Sequence, residues 1–531
     1  MDSDQFRQAA HAAVEDIINY LENSQPTHIV PDQEFGSFQK SMPQSAPQQG
    51  EAWSDIYNDY KSLVQPQMTN WIAPNFAAFF PCGTSYSSIL GELYAASYGG
   101  SFFSWVASPA ATELEHVVMD WLARALALPE AFLNGDEGDG GGLMMTSASE
   151  SILTVMVAAR DRALRMERER KQAGRVNWFN CAKKLPNAAE DVDDGIGVNG
   201  SGPPIPGCYT SEESMSHFVV LGSETTHSST KKAARILGLQ FKTVLAPRDA
   251  GFAMTGSALA GAIQECLDDE LQPIFVTATL GTTATCAIDD LPGIGEILKE
   301  HPFIWGHVDA ACVGAALVCP EYKHLARDLG LFGSFNVNLN KWMFVNTDAS
   351  CLFVQSRKCL ARSLDITPSY LENDAQLKDK FYEPHHLSLT LTRRFRSLKV
   401  WFTLRTFGIE GLTTHIRAGV SLGEQFSTML SHRADLFEII TGPAFALVTF
   451  RVRPALEQTD RGSADYNELC NDATRKVCHM VNSSNKAFVT GCEVGDLYVI
   501  RMVTSNINSN LDAMKIMLDM FVDAAEGIRN L

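Results

Sequence analysis

The chain has 531 residues, 45% of them hydrophobic and 20% charged, and a net charge of -19. That is the composition of a globular enzyme of two or three domains with a large core, and its acidity argues against nucleic acid or an anionic membrane surface as partner. No apolar run approaches a membrane span and no basic or apolar signal opens the chain, so a cytoplasmic protein is expected. The 12 cysteines are scattered with no CxxC pair, which reads as reduced, buried thiols and no metal site.

In chain order, Phe6, Ala10, Ala13, Ile17 and Leu21 share one face of a first helix, and Trp53, Ile56, Tyr60 and Leu63 share a face of another. Gln25 to Gly50 between them is polar and proline-bearing, an extended connection. Helical faces with no strand to cover them predict an arm, residues 1–95, that packs on a second subunit. Ser108-Pro109 predicts a helix start, with a capping hydroxyl and proline at the first helical position. That helix would turn Leu114, Val118, Trp121 and Leu122 inward. Gly141 to Met145 predicts a strand that breaks into Thr146-Ser147-Ala148-Ser149-Glu150 and then a helix through Arg160. Backbone amides at such a turn can hold a phosphate.

Residues 175–216 are acidic, then glycine- and proline-rich, and read as an inserted surface loop. Strands resume at Phe218–Leu221, before Thr225-Thr226-His227-Ser228-Ser229 enters a helix, and at Ile274–Thr279, which ends in Leu280-Gly281-Thr282-Thr283. A short apolar run, Phe303, Ile304, Trp305 and Val308, ends on Asp309. Phe335 to Leu339 alternates at period two and leads into Asn340-Lys341-Trp342. Strands alternating with helices at this spacing predict an α/β domain with a mainly parallel sheet over residues 96–392. From Thr367 to Leu391 the periodicity weakens, and a mobile active-site loop is expected. Beyond Arg393 a long helix (Leu398, Trp401, Phe402, Leu404, Ile409), strands around Ala446–Arg453 and Leu497–Val503, and a closing helix from Leu511 predict a separate α+β domain, residues 393–531.

In open α/β sheets ligands bind outside the carboxyl ends of parallel strands. An aspartate and a lysine delivered there, Asp309 and Lys341, suggest pyridoxal 5'-phosphate. The lysine amine would anchor it, and the aspartate would hold the pyridine nitrogen protonated so that the ring accepts electrons.

Together these stretches resemble the aromatic L-amino acid decarboxylases, group II pyridoxal-phosphate-dependent decarboxylases of aspartate aminotransferase-like fold type I. The resemblance spans nearly the whole chain except 175–216. It rests on Phe80-Pro81, Ser104-Trp105-Val106-Ala107-Ser108-Pro109-Ala110, Thr146 to Glu150, His227-Ser228-Ser229, Ala278 to Thr283, His307-Val308-Asp309-Ala310-Ala311 and Arg393-Arg394-Phe395-Arg396-Ser397-Leu398. It implies that Lys341 carries the cofactor, Asp309 partners the pyridinium and His227 stacks on the ring. Ser147, Ala148 and Ser149 match the phosphate turn, and Thr283 the residue facing the ring's substituents. Trp71, Phe79, Phe80, Pro81 and Phe103 match an aromatic substrate pocket, completed across a homodimer interface. Tyr370 matches the mobile-loop tyrosine that donates a proton to Cα.

The chain also departs from the family's pattern. Asn340 stands where these decarboxylases usually have histidine, and it cannot carry a charge; histidine decarboxylases are similar in having a small polar residue there. Phe79 and Cys82 replace a tyrosine and a threonine, removing two hydroxyls from the pocket. Thr392 occupies a position where plant relatives carry glycine with indolic substrates and serine with phenolic ones, so tyrosine or DOPA is favoured over tryptophan or phenylalanine. Aldehyde synthases of the family replace the loop tyrosine with phenylalanine or the stacked histidine with asparagine. This chain keeps both, which favours an amine product over an aldehyde. A catalytically silent scaffold is the third alternative, and retention of Lys341, Asp309, His227 and Tyr370 argues against it.

Overall fold

The computed structural model describes residues 1–22, 29–135, 139–172, 215–366, 382–454 and 464–529. The expected insertion, save its last two residues, lies outside these, as do residues 367–381 of the expected mobile loop and with them Tyr370. The chain groups into two compact units, one of residues 83–417 and one of residues 1–82 with 418–531. Sequence placed its divisions at 95/96 and 392/393. The unit boundaries fall at 82/83 and 417/418, and the first 82 residues group with the last 114.

The larger unit is built on a seven-stranded sheet. Its strands are β1 (Gly141–Met145), β2 (Phe218–Ser223), β3 (Gln240–Val244), β4 (Gln272–Thr279), β5 (Trp305–Asp309), β6 (Ser334–Asn338) and β7 (Ser350–Val354), in the order β1-β7-β6-β5-β4-β2-β3. Strands β2 to β6 run parallel where they pair, and β7 is antiparallel to both β6 and β1. Hence β1 runs in the common direction too, and the carboxyl ends of β1, β2, β4, β5 and β6 open on one edge. The mainly parallel α/β sheet of the expected fold type is thereby present. Most of its strands are buried along their whole length, as a sheet covered on both faces requires, while β3 at the edge is half exposed.

Helix Ala148–Gln172, longer than expected, covers one face of this sheet. Its Ile152, Val155, Met156 and Ala159 pack with Phe218, Val220, Phe275 and Leu352 in one apolar cluster. Helix Pro109–Ala125 starts at Ser108 with proline in its first turn, as expected, but the Ser108 hydroxyl makes no capping bond. The face it buries also differs. Trp121 is 40% exposed, whereas Glu115 is buried. A charged residue displaces an aromatic one there because Glu115 meets Arg393 at 2.7 Å and also accepts the Met144 amide at 2.8 Å. Apolar periodicity cannot see such a pair.

The smaller unit holds a four-stranded antiparallel sheet in the order β10-β11-β9-β8, of β8 (Phe437–Ala444), β9 (Leu447–Val452), β10 (Thr490–Val494) and β11 (Leu497–Val503). Phe426, Phe437, Phe450, Val477, Ile500, Met514 and Phe521 form its core. The helix Ser3–Glu22 buries none of its residues within the chain, although its sequence is amphipathic, and Phe6 is 59% exposed. Among the described residues no helix is long and apolar enough to cross a membrane.

Candidate active site

The carboxyl edge of the large sheet collects the residues that the sequence marked as candidates for holding the cofactor. Strand β5 ends on Asp309, whose buried carboxylate accepts from the Ala311 amide at 3.1 Å and from Asn336 Nδ2 at 3.2 Å through Oδ1. Strand β6 ends one residue before the short helix Leu339–Trp342, which carries Asn340 and Lys341. The Leu339 amide donates to the Ala349 carbonyl and that of Met343 to Leu339, so the helix is pinned at both ends at 2.9 Å. Asn340 is buried and Lys341 partly so, and the Asn340 carbonyl accepts from the Gly83 amide at 2.7 Å.

His227 follows β2. Its Nδ1 accepts from the Ser229 amide at 3.2 Å and so caps helix Ser228–Ile236. That bond makes Nδ1 the acceptor and leaves Nε2 to carry the proton of the neutral ring. The capping role and a role at the ring are compatible, since the imidazole keeps a solvent-open side. Lost hydration pushes its pKa down. Asp309 opposes that shift and Lys341 reinforces it, so both side chains lie within electrostatic reach of the imidazole.

Thr283 lies exposed in the loop after β4. Gly281, with φ of 92°, turns that loop in the left-handed region, and a Cβ there would fall 2.2 Å from Val313 Cγ2. At the head of helix Ala148–Gln172, Ser147 Oγ accepts from the Glu150 amide at 3.2 Å, and Glu150 Oε2 accepts from the Thr146 amide at 2.7 Å. Among the described residues nothing accepts from the amides of Ala148 and Ser149. Buried Thr279 Oγ1 and Asn338 Oδ1, at the ends of β4 and β6, likewise have no partner among the described residues. Two anion-ready amides at a helix amino end, a buried carboxylate, a lysine and an imidazole fit the phosphate, ring nitrogen, aldehyde and ring face of pyridoxal phosphate.

Phe103 and Thr392 belong to this larger unit. The Phe103 carbonyl accepts from the His385 amide at 3.2 Å, and Glu383 Oε2 accepts from the Trp105 amide at 2.6 Å, so the described end of the loop is anchored beside Phe103. Thr392 is exposed. The other pocket candidates, Trp71, Phe79, Phe80, Pro81 and Cys82, belong to the smaller unit. There Trp71 and Phe79 stack with centroids 5.5 Å apart, and Arg501 lies over the Phe80 ring. Phe79 sits at a φ of 56°, held by the Thr490 hydroxyl on its amide and by Arg501 on its carbonyl. His307 and Asn336 are site neighbours that the sequence reading did not single out. The signal was present, since each lies two residues along its strand from a residue already named or from the strand's end.

Asp289 braces the same loop from behind. It is buried, and its two oxygens accept the Met254 and Thr279 amides, each at 2.7 Å. Burial raises its pKa to about 7, well above the usual carboxylate value, although both amides pull the other way. The folded state therefore binds a proton that the unfolded chain has already lost between about pH 4 and 7. Across that window this group's contribution to stability falls as pH rises, by on the order of 4 kcal/mol in all, and is flat outside it. Asp289→Asn is expected to flatten that slope in urea unfolding measured at several pH values. An unchanged slope would mean that Asp289 does not titrate in this range.

The family model of the pyridoxal-dependent decarboxylase conserved domain matches residues 36–183 and 208–453. Aromatic-L-amino-acid decarboxylase of Mus musculus is 35% identical over 501 residues, 94% of this chain and 93% of its own. Phenylacetaldehyde synthase of a Rosa hybrid cultivar is 34% identical over 505 residues, 94% of this chain and 90% of its own. Among solved structures, Oryza sativa TDC with PLP and tryptamine superposes with a TM-score of 0.86 at 30% identity, over 100% of this chain and 99% of that one.

Proposed function

Since the chain belongs to the pyridoxal-dependent decarboxylase family, with pyridoxal 5'-phosphate as its cofactor, we propose that it decarboxylates an aromatic L-amino acid to the arylalkylamine and carbon dioxide. The observation that carries this reading is the convergence of Asp309, Lys341 and His227 at one edge of the parallel sheet, with the imidazole in the field of both other groups. When bound, the cofactor supplies an electron sink for the pair left on Cα as carbon dioxide departs.

The chain's own residues divide the remaining work. Lys341 would anchor the cofactor, Asp309 would hold the proton on its ring nitrogen, and the His227 imidazole would stack on the ring. The amides of Ser147, Ala148 and Ser149 bind the phosphate, with Thr283 and Asn340 alongside. Phe103 and Thr392 line the substrate pocket. Tyr370 delivers a proton to Cα. A second copy of the chain completes the site, which accounts for a Ser3–Glu22 helix that buries nothing within its own chain. Thr392 favours tyrosine or DOPA, because a hydroxyl and a β-carbon there crowd an indole and can meet a phenol.

The similarity to an aldehyde synthase keeps the oxygen-dependent reaction, in which the amino acid, oxygen and water yield aldehyde, carbon dioxide, ammonia and hydrogen peroxide, as the second reading. Holoenzyme incubated in air with tyrosine, DOPA, phenylalanine, tryptophan and histidine separately distinguishes the two. Amine without peroxide is expected, fastest with a phenolic substrate, and aldehyde with matching peroxide would overturn the reading. Tyr370→Phe is expected to shift product from amine towards aldehyde by removing the proton donor. If the variant's product ratio matches that of the unaltered enzyme, Tyr370 is not that donor.

A further inference from the structure

Behind Asp309 the two strands that carry the site share a buried polar file. Residues 305, 307 and 309 of β5 point to one face of the sheet, and so do 334, 336 and 338 of β6; His307 stands opposite Ser334 and Asp309 opposite Asn336. Across this face Trp305 Nε1 donates to Ser334 Oγ at 2.8 Å, and Ser334 Oγ lies 2.8 Å from His307 Nδ1. His307 Nε2 lies 2.7 Å from Asn336 Oδ1, and Asn336 Nδ2 donates to Asp309 Oδ1 at 3.2 Å. All five residues are buried, and Phe275 stacks on His307 with centroids 6.0 Å apart.

The ends of the file set its direction. An indole N–H can only donate, and an ionised carboxylate can only accept. The arrangement that satisfies both has the Ser334 hydroxyl donating to His307 Nδ1 and Nε2–H donating to the Asn336 carbonyl oxygen. The opposite polarity would turn the Asn336 oxygen towards the Asp309 carboxylate, acceptor against acceptor, and is satisfied only if Asp309 is protonated. The polarity of the file and the charge on Asp309 are therefore one variable.

We propose that His307 and Asn336 are positioning residues for the cofactor's ring nitrogen: their one-way hydrogen-bonded file from Trp305 holds Asp309 ionised and aimed. This rests on the reading above that Asp309 faces that nitrogen. Burial drives the His307 pKa down to about 4 against the pull of Asp309, so the ring carries a single proton, as the file needs. Each donor dipole points along the chain at the carboxylate, and such chains reinforce one another where the dielectric is low. The chemistry does not require these residues to touch substrate. It requires that Asp309 keep its charge next to a pyridinium despite lying in a buried pocket.

The test compares two cofactors, pyridoxal phosphate and its carbocyclic analogue with CH in place of the ring nitrogen, bound to purified apoenzyme and followed by the visible absorbance and the dissociation constant. Asn336→Leu and His307→Leu are expected to weaken pyridoxal phosphate binding by roughly 10-fold to 100-fold while leaving the analogue within about 2-fold of its unaltered value. His307→Gln, whose amide can accept at one end and donate at the other, is expected to recover most of the loss. Trp305→Phe, which keeps an aromatic ring but removes the indole N–H, should give a small loss of the same kind and keeps the test open if a larger change prevents folding. Equal weakening of both cofactors, or none for pyridoxal phosphate, would overturn the proposal. Asp309→Ala is the reference. If it too fails to distinguish the cofactors, the placement of Asp309 at the nitrogen fails; if it distinguishes them and the file variants do not, the file alone fails.

Discussion

Lys341→Ala is expected to yield folded protein that shows no visible absorbance from bound cofactor and turns over roughly 10⁴-fold or more slowly, since removing one member of a catalytic unit costs about as much as removing the unit. The fold should survive, because Lys341 is only partly buried and the helix Leu339–Trp342 is held by backbone bonds at 2.9 Å that the side chain does not make. Loss of function with an unchanged urea midpoint separates a chemical role from a packing one. Lys341→Arg should not restore activity, because a guanidinium stays protonated and cannot add to the cofactor's aldehyde. A variant that kept both the band and its turnover would remove the central residue of the proposed mechanism.

Glu115→Ala is expected to destabilise the larger unit by about 3–5 kcal/mol, the usual penalty for stranding one partner of a buried ion pair. Glu115 Oε1 accepts from Arg393 Nη2 at 2.7 Å and from the Met144 amide at 2.8 Å, and Arg393 Nη2 also donates to the Met144 carbonyl at 2.8 Å. Helix Pro109–Ala125, strand β1 and the segment before the long helix are thus tied at one point. Truncation leaves a buried guanidinium and a buried amide without their acceptor. Urea unfolding is the measurement. Replacing both partners, as Glu115→Leu with Arg393→Met, is expected to cost less than the sum of the single changes, because neither charge is then left unpaired. Additive losses would show that the pair does not act as a unit. Strand β1 delivers Ser147, so the single variant should also bind cofactor more weakly before it unfolds.

Period-two and period-3.6 patterns carried the fold class. The apolar runs at 141–145, 218–221 and 274–279 each lie in an observed strand, because burial on both faces leaves a largely apolar signature. Strands β3, β7, β8 and β10 went unread. β3 is half exposed and opens Gln240-Phe241-Lys242, so its composition is that of a surface segment. Asp309, Lys341 and the small-residue turn at 146–149 were picked out from the strands they follow, and the structure puts all of them at the carboxyl edge of the sheet. Glu115 in the core and Trp121 outside it were not, since which face of a helix is buried depends on a partner 278 positions away.

The sequence by itself thus determined the α/β class, through local periodicity, and the family and its cofactor, through motifs that resemble the family's in their order along the chain. What only the tertiary structure decided is how the polar residues between those points are used. In Phe335-Asn336-Val337-Asn338-Leu339 the alternation looks like that of a half-exposed strand, yet all of it is buried. Asn336 is tolerated there because β5, a separate stretch of chain, brings His307 and Asp309 into register with it and satisfies both ends of its amide. Hydrogen-bond partners across strands are set by register, and register is a property of the assembled sheet.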